Sequence, residues 1–204
     1  GVEVWGSQNN LSQNIVPSVV GKLIVNNATI EYAVCGARAQ KNYGSNVNLH
    51  RGGIIIATAD AKFKNCLMVV EFLPYQNIYN GIEYSNKSYF AGATFQNTVK
   101  YVFKITPVHA YIDGCSGIRF TNCDFINFNS QAMFDMLSTG IKSLNANYTV
   151  SDGCTFLHLF HAIDAKRTSG NNTISVLGST FTNNQTGIYA YNINNLKLQS
   201  NHFN

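Results

Sequence analysis

Ile118-Arg119-Phe120-Thr121-Asn122-Cys123-Asp124-Phe125-Ile126-Asn127 is the stretch that decides the fold. Take Phe125 as its origin. Apolar Ile118 and Phe120 stand seven and five places before it, small Cys123 two before, and Asn127 two after. The same pattern recurs around Ile30, Phe63, Phe95, Phe156, Phe181 and Phe203, at successive spacings of 33, 32, 30, 31, 25 and 22 residues. The small position is filled by Ala28, Ala61, Ala93, Cys123, Cys154, Ser179 and Asn201. Alternation with period two marks a strand that buries one face. Recurrence at this length marks stacked units rather than one ordinary core.

Two places after each origin stand Tyr32, Asn65, Asn97, Asn127, His158 and Asn183. Asn tolerates left-handed backbone, so each strand is expected to end there in a tight corner. A further apolar strand is expected after the corner, at Val69-Val70, Tyr101-Val102-Phe103, Ala162-Ile163 and Gly187-Ile188-Tyr189. Strands recurring at fixed phase with no crossover helix are best stacked in parallel. The expected fold is therefore all-β, a single-stranded parallel β-helix or solenoid of about seven coils, one domain over residues 1–204. A β-sandwich would need hairpins, and Asn80-Gly81 is the only Asn-Gly dipeptide.

Composition narrows the function classes. Charged residues make up 12% of the 204, about half the usual share, and the formal net charge is +4. No run of Lys or Arg gives a nucleic-acid footprint. No segment nears the roughly 20 apolar residues of a membrane span. The five cysteines form no C-x-x-C pair and have no His at zinc-finger spacing. They are expected as free core residues, with Cys123 and Cys154 inward on adjacent coils and unbonded. No metal or cofactor is implied. The strand-like opening Val2-Glu3-Val4-Trp5 without a signal peptide suggests an internal piece of a longer secreted protein.

Extra residues in the first four units, Gln40 to Arg51, Leu73 to Asn86, Thr106 to Ser116 and Phe128 to Ala146, are expected as loops. Residues 128–137 could form a short helix. The loops carry Tyr43, His109 and the ligand candidates Tyr75, Tyr79, Tyr84 and Tyr111, whose rings suit the apolar face of a sugar. The plainer reading is that these rings pin loops to the rod.

The chain resembles the right-handed parallel β-helix domains of secreted and surface proteins of the Bacteroidetes, within the pectate-lyase-like superfamily. Gly1-Val2-Glu3-Val4-Trp5-Gly6, Gly21-Lys22-Leu23-Ile24-Val25, Ala61-Lys62-Phe63-Lys64-Asn65 and Asn201-His202-Phe203 carry the likeness. The resemblance implies a right-handed coil and an extracellular or cell-surface location. It also implies export by the type IX route, directed from flanking domains.

Many such folds are polysaccharide lyases or hydrolases, but the galacturonase-like motifs N-x-D, D-D, G-H-G and R-x-K are missing as a set. Glycoside hydrolysis needs two carboxyls about 5–10 Å apart. The outward row beside the aromatic ladder is expected to read Thr29, Lys62, Thr94, Asp124, Thr155, Thr180 and His202, with one carboxylate. Glu71 and Asp164 share a phase but lie three coils apart. The remaining catalytic candidates are His161, Asp164 and Arg167, with His158, Lys166 and Asp113 near them; isolated His and ion pairs are more often structural. The expected role is a non-catalytic, adhesin-like scaffold for a polysaccharide or surface protein, with possible end-to-end stacking. The alternative is a fragment of a carbohydrate-active enzyme.

Overall fold

The computed structural model describes residues 1–204 except 7–10, 16–18, 42–49, 59, 99–105 and 129–137. The described residues contain strands, turns and bends and no helix. Three parallel sheets of seven strands each make up the body. The first holds β1 (Val2–Glu3), β4 (Cys35–Arg38), β7 (Met68–Phe72), β12 (Val108–Asp113), β15 (Thr139–Leu144), β18 (His161–Lys166) and β21 (Thr186–Tyr191). The second holds β2 (Lys22–Asn26), β5 (Ile54–Thr58), β10 (Tyr89–Ala91), β13 (Ser116–Thr121), β16 (Asn147–Ser151), β19 (Thr173–Leu177) and β22 (Asn195–Gln199). The third holds β3 (Thr29–Glu31), β6 (Lys62–Lys64), β11 (Thr94–Asn97), β14 (Asp124–Asn127), β17 (Thr155–Leu157), β20 (Thr180–Thr182) and β23 (His202–Phe203). Consecutive strands of the body lie in different sheets, so each circuit adds one strand to each sheet. That order is compatible with a parallel β-helix.

The register follows the aromatic beat. Ile30, Phe63, Phe95, Phe125, Phe156, Phe181 and Phe203 pair successively across the third sheet. Their rings stack at 5.2, 4.7, 4.7, 4.8 and 4.6 Å from Phe63 to Phe203, with nearly parallel planes. That separation matches the strand spacing, so the ladder satisfies backbone pairing and ring stacking together. A second ladder, Phe90 on Phe120 at 4.9 Å, meets the first edge-on. Of the small residues two places earlier, Ala61, Ala93, Cys123, Cys154 and Ser179 are buried, while Ala28 and Asn201 at the two ends of the ladder are not. The cysteines among them are free thiols, and the Cys123 amide points at Cys154 Sγ, 3.3 Å away. The outward row reads Thr29, Lys62, Thr94, Asp124, Thr155, Thr180 and His202, as the phase demands.

Three expectations change. Tyr32, Asn65, His158 and Asn183 turn left-handed with φ of 52–55°. Asn97 and Asn127 do not; they extend β11 and β14 and are buried. Asn97 Nδ2 there reaches His109 Nε2 at 3.2 Å and Ser138 Oγ at 2.5 Å. A buried amide with partners inside the core needs no corner to satisfy it. Second, most of Thr106 to Ser116 and the end of Phe128 to Ala146 are the strands β12 and β15, not loops; the third-strand expectation at 101–103, the 128–137 helix and Tyr43 lie outside the described residues. Third, the Asn80-Gly81 turn does build a hairpin, with β8 (Asn77–Tyr79) antiparallel to β9 (Ile82–Tyr84). Both turn residues have positive φ, 50° and 76°, as a type I′ turn requires. This hairpin is an appendage and joins none of the three sheets.

Candidate functional site

The outer face of the first sheet carries one line of polar side chains. Glu3, Arg38, Glu71, Tyr111, Lys142, Asp164 and Tyr189 lie in register across its seven strands. Arg38 pairs with Glu71 through Nε and with Glu3 at 3.8 Å. Glu71 and Asp164 are separated by the strands of Tyr111 and Lys142. Three strand steps amount to about 14 Å, outside the range of a two-carboxylate mechanism.

Asp164 is buried, and Lys166 Nζ lies 3.5 Å from its Oδ1. Lys166 also sits over the Tyr189 ring at 5.5 Å. His161 packs against Phe160 at 4.3 Å and Tyr189 at 5.7 Å between ring centres. Burial lowers the His161 pKa against the upward pull of Asp164, so its imidazole favours the neutral form. Arg167 faces other work: its Nε donates to Asn192 O and its Nη1 to Gly170 O at 2.9 Å. His161, Asp164 and Arg167 therefore lie on one short stretch but form no hydrogen-bonded set. His158 stands at a corner with Nε2 3.4 Å from Asn183 Nδ2. Asp113 ends β12, its pKa raised by burial.

The tyrosine candidates divide. Tyr75 offers no ring face to a ligand: it is buried, its hydroxyl donates to Leu11 O at 2.8 Å, and burial pushes its pKa up to about 12. Its ring also fills the space beside Gly52, where a Cβ would come within 2.4 Å. Tyr111 is half-buried in the charged row. Tyr79 and Tyr84 stand in solvent on the hairpin at 37% and 41% exposure, with Ile78 at 45% and Ile82 at 58%. Asn77 ties the base of the hairpin down, its Oδ1 accepting from Ser12 Oγ and the Gln13 amide, both at 2.9 Å.

Beside the hairpin lies a polar groove of about 350 Å³. Gln76 and Glu83 form its hairpin wall, Gly114 and Ser116 lie along it, and Asn145, Asn147 and residues 169–172 close it. Asn145 Oδ1 accepts from the amides of Thr168 and Ser169 at 2.8 and 3.0 Å, which folds the 168–172 turn. Asn147 Oδ1 accepts from the Thr173 amide, and its Nδ2 donates to Ser116 Oγ at 2.8 Å. Asn172 is 2% exposed; its Nδ2 donates to Ala146 O at 3.1 Å, and its Oδ1 has no partner. These residues escaped the aromatic phasing of the sequence because Asn reads as a turn-former everywhere. A signal exists: Asn86, Ser116, Asn147, Asn172 and Asn194 all lie nine places before a ladder Phe. Among the described residues no group of three or more His, Cys, Asp or Glu is placed to hold a metal ion, and no helix is long and apolar enough to cross a membrane.

No family model, curated protein or solved structure matches the chain.

Proposed function

We propose that the chain is a right-handed, single-stranded parallel β-helix of about seven coils that acts as an extracellular, non-catalytic scaffold. Its appended loops present a binding surface to a glycan or a surface protein, in the manner of an adhesin. The observation that carries this reading is the hairpin. Its strands pair with no sheet of the body, and they hold Ile78, Tyr79, Ile82 and Tyr84 in solvent. A rigid rod that raises apolar side chains on a pinned hairpin has the form of an interaction element. The resemblance to Bacteroidetes surface proteins of the pectate-lyase-like superfamily, often carried by the type IX route, agrees with such a role. The test is a glycan array and a cell-surface binding assay with the wild type and with Tyr79→Ser/Tyr84→Ser. The wild type should bind and the double variant should lose most of the signal. Equal binding by both would sink the role given to the hairpin.

A second reading, a fragment of a carbohydrate-active enzyme, is favoured by one observation, the packing of neutral-leaning His161 near Asp164 and Lys166. Release of reducing ends or unsaturated products from a polysaccharide panel, abolished by His161→Ala, would establish it in place of the scaffold.

A further inference from the structure

We infer that the groove between the hairpin and the 168–172 turn is a subsite for a neutral saccharide, bound through its hydroxyls. The inference rests on the scaffold reading and assigns it a place and a ligand chemistry. The groove is lined by side-chain amides, two serine hydroxyls, glycines and the Glu83 carboxylate, with no apolar side chain among them. A peptide-binding groove offers apolar pockets or an open sheet edge, and neither lines this one. A sugar hydroxyl both donates and accepts, as does a carboxamide, so rows of amides and rows of hydroxyls match atom for atom. The volume sits at the low end of small-molecule sites, which fits a short stretch of a sugar chain.

Asn172 lines the groove with its side chain buried. Its nitrogen is committed to Ala146 O and its Oδ1 lies buried without a donor, so a ligand hydroxyl reaches that acceptor only with a shift of the 168–172 turn. A buried acceptor without a donor is costly, and a ligand hydroxyl donating to it recovers that cost. Exposed Gln76 and Asn171, on opposite walls, add amide groups within the same groove. Glu83 sets the charge preference. It is the one charged side chain lining the groove, so uronates and sulfated sugars meet repulsion there. Two guanidiniums near the groove are engaged by carbonyls: Arg167 serves Asn192 O and Gly170 O, the latter in the groove wall, and Arg51 Nη1 donates to Pro74 O.

The test is titration calorimetry of the full chain with cellohexaose, xylohexaose, mannohexaose and hexagalacturonate. Three variants go with it: Asn172→Leu, which removes the free acceptor; Asn171→Trp, which fills the groove from an exposed position and leaves the fold intact by circular dichroism; and Glu83→Gln. At least one neutral hexamer should bind the wild type more tightly than hexagalacturonate does. Asn172→Leu and Asn171→Trp should each weaken it about tenfold or more. Glu83→Gln should narrow the gap between neutral and acidic probes. Neutral binding that survives both Asn171→Trp and Asn172→Leu overturns the groove assignment and leaves the scaffold reading standing. A wild-type preference for hexagalacturonate, or a displayed peptide selected at this groove with no oligosaccharide competing, overturns the ligand class. No binding to any sugar on the panel or on the array overturns this inference together with the glycan part of the scaffold reading; retained cell-surface binding would then leave a protein partner.

Discussion

Replacing Phe125 by Ala should cost about 4 kcal/mol, and the same change at Phe203 about 1.5 kcal/mol. The difference follows from position along the ladder. Phe125 is fully buried, stacked on Phe95 and Phe156 at 4.7 Å on either side, and met edge-on by Phe120 at 5.5 Å. Truncation there removes a whole side chain from the core and leaves a cavity between two rings, the upper part of the Phe→Ala range. Phe203 stacks on Phe181 alone, at 4.6 Å, and is 52% exposed, so about half the burial is lost and little cavity remains. In a stacked architecture an interior unit has two neighbours and a terminal unit one. Urea denaturation followed by far-UV circular dichroism measures both variants. With a slope of about 3 kcal/mol/M, the midpoint should fall by about 1.3 M for Phe125→Ala and about 0.5 M for Phe203→Ala. Equal shifts, or a larger one at Phe203, would refute the ladder as the source of stability. Phe125→Leu, which keeps part of the apolar volume but loses stacking, should fall between them.

Burial holds His109 at a pKa of about 3, against about 6.5 for a free histidine. Between those values the unfolded chain takes up a proton that the folded chain excludes, so stability falls as pH drops through that window. His109→Gln should flatten this limb in urea melts at about pH 4 and pH 7, and an unchanged slope would count against the assignment. Cys66, Cys115, Cys123 and Cys154 are buried, and Cys35 and Cys115 are pushed up to about 12 by burial; the hydrogen bond between Cys123 and Cys154 raises the first and lowers the second, so burial alone shields Cys154. A thiol reagent at about pH 8 should therefore modify the native chain slowly and all five thiols in urea; fast native labelling of a buried cysteine would contradict the packing. Glu71→Gln should cost about 1–2 kcal/mol, because it leaves the half-buried Arg38 with only Glu3 at 3.8 Å. A double-mutant cycle with Arg38→Gln should recover most of that as coupling, and a coupling near zero would mean the pair is solvent-screened.

The sequence was most legible where one physical demand repeats. A ring that stacks on its neighbour must recur at fixed register, so the ladder from Ile30 to Phe203 and its outward companion row could be phased from spacing alone. Length variation between origins was opaque to that ruler. Phased forward from the Phe, β12 and β15 vanish into apparent loops. Measured backward from the next unit they are plain, since Asp113 and Leu144 each end a strand three residues before Ser116 and Asn147 begin one. Asn was ambiguous for a related reason: the same side chain caps a left-handed corner at Asn65 and binds within the core at Asn97. Only the neighbours on other circuits decide which. The turn dipeptide of the hairpin was legible, yet Leu73 to Asn86 read as a plain loop and no hairpin was expected there. The groove was missed because it depends on a hairpin and a corner separated by about ninety residues of chain.

The corner amides and the hairpin make different demands on the same groove. Asn145, Asn147 and Asn172 fold the chain where it enters β16 and β19, so their amides serve stability first. Gln76 and Glu83 sit exposed on a hairpin whose loss would leave all three sheets paired. One wall is therefore fixed by folding while the opposite wall is free to vary. Preferences among sugars should reside in the hairpin, at positions where substitution changes binding and leaves the urea midpoint unmoved. Changes at Asn172 should move both together, because one amide group holds the corner with its nitrogen and carries a buried, unpartnered oxygen in the groove wall.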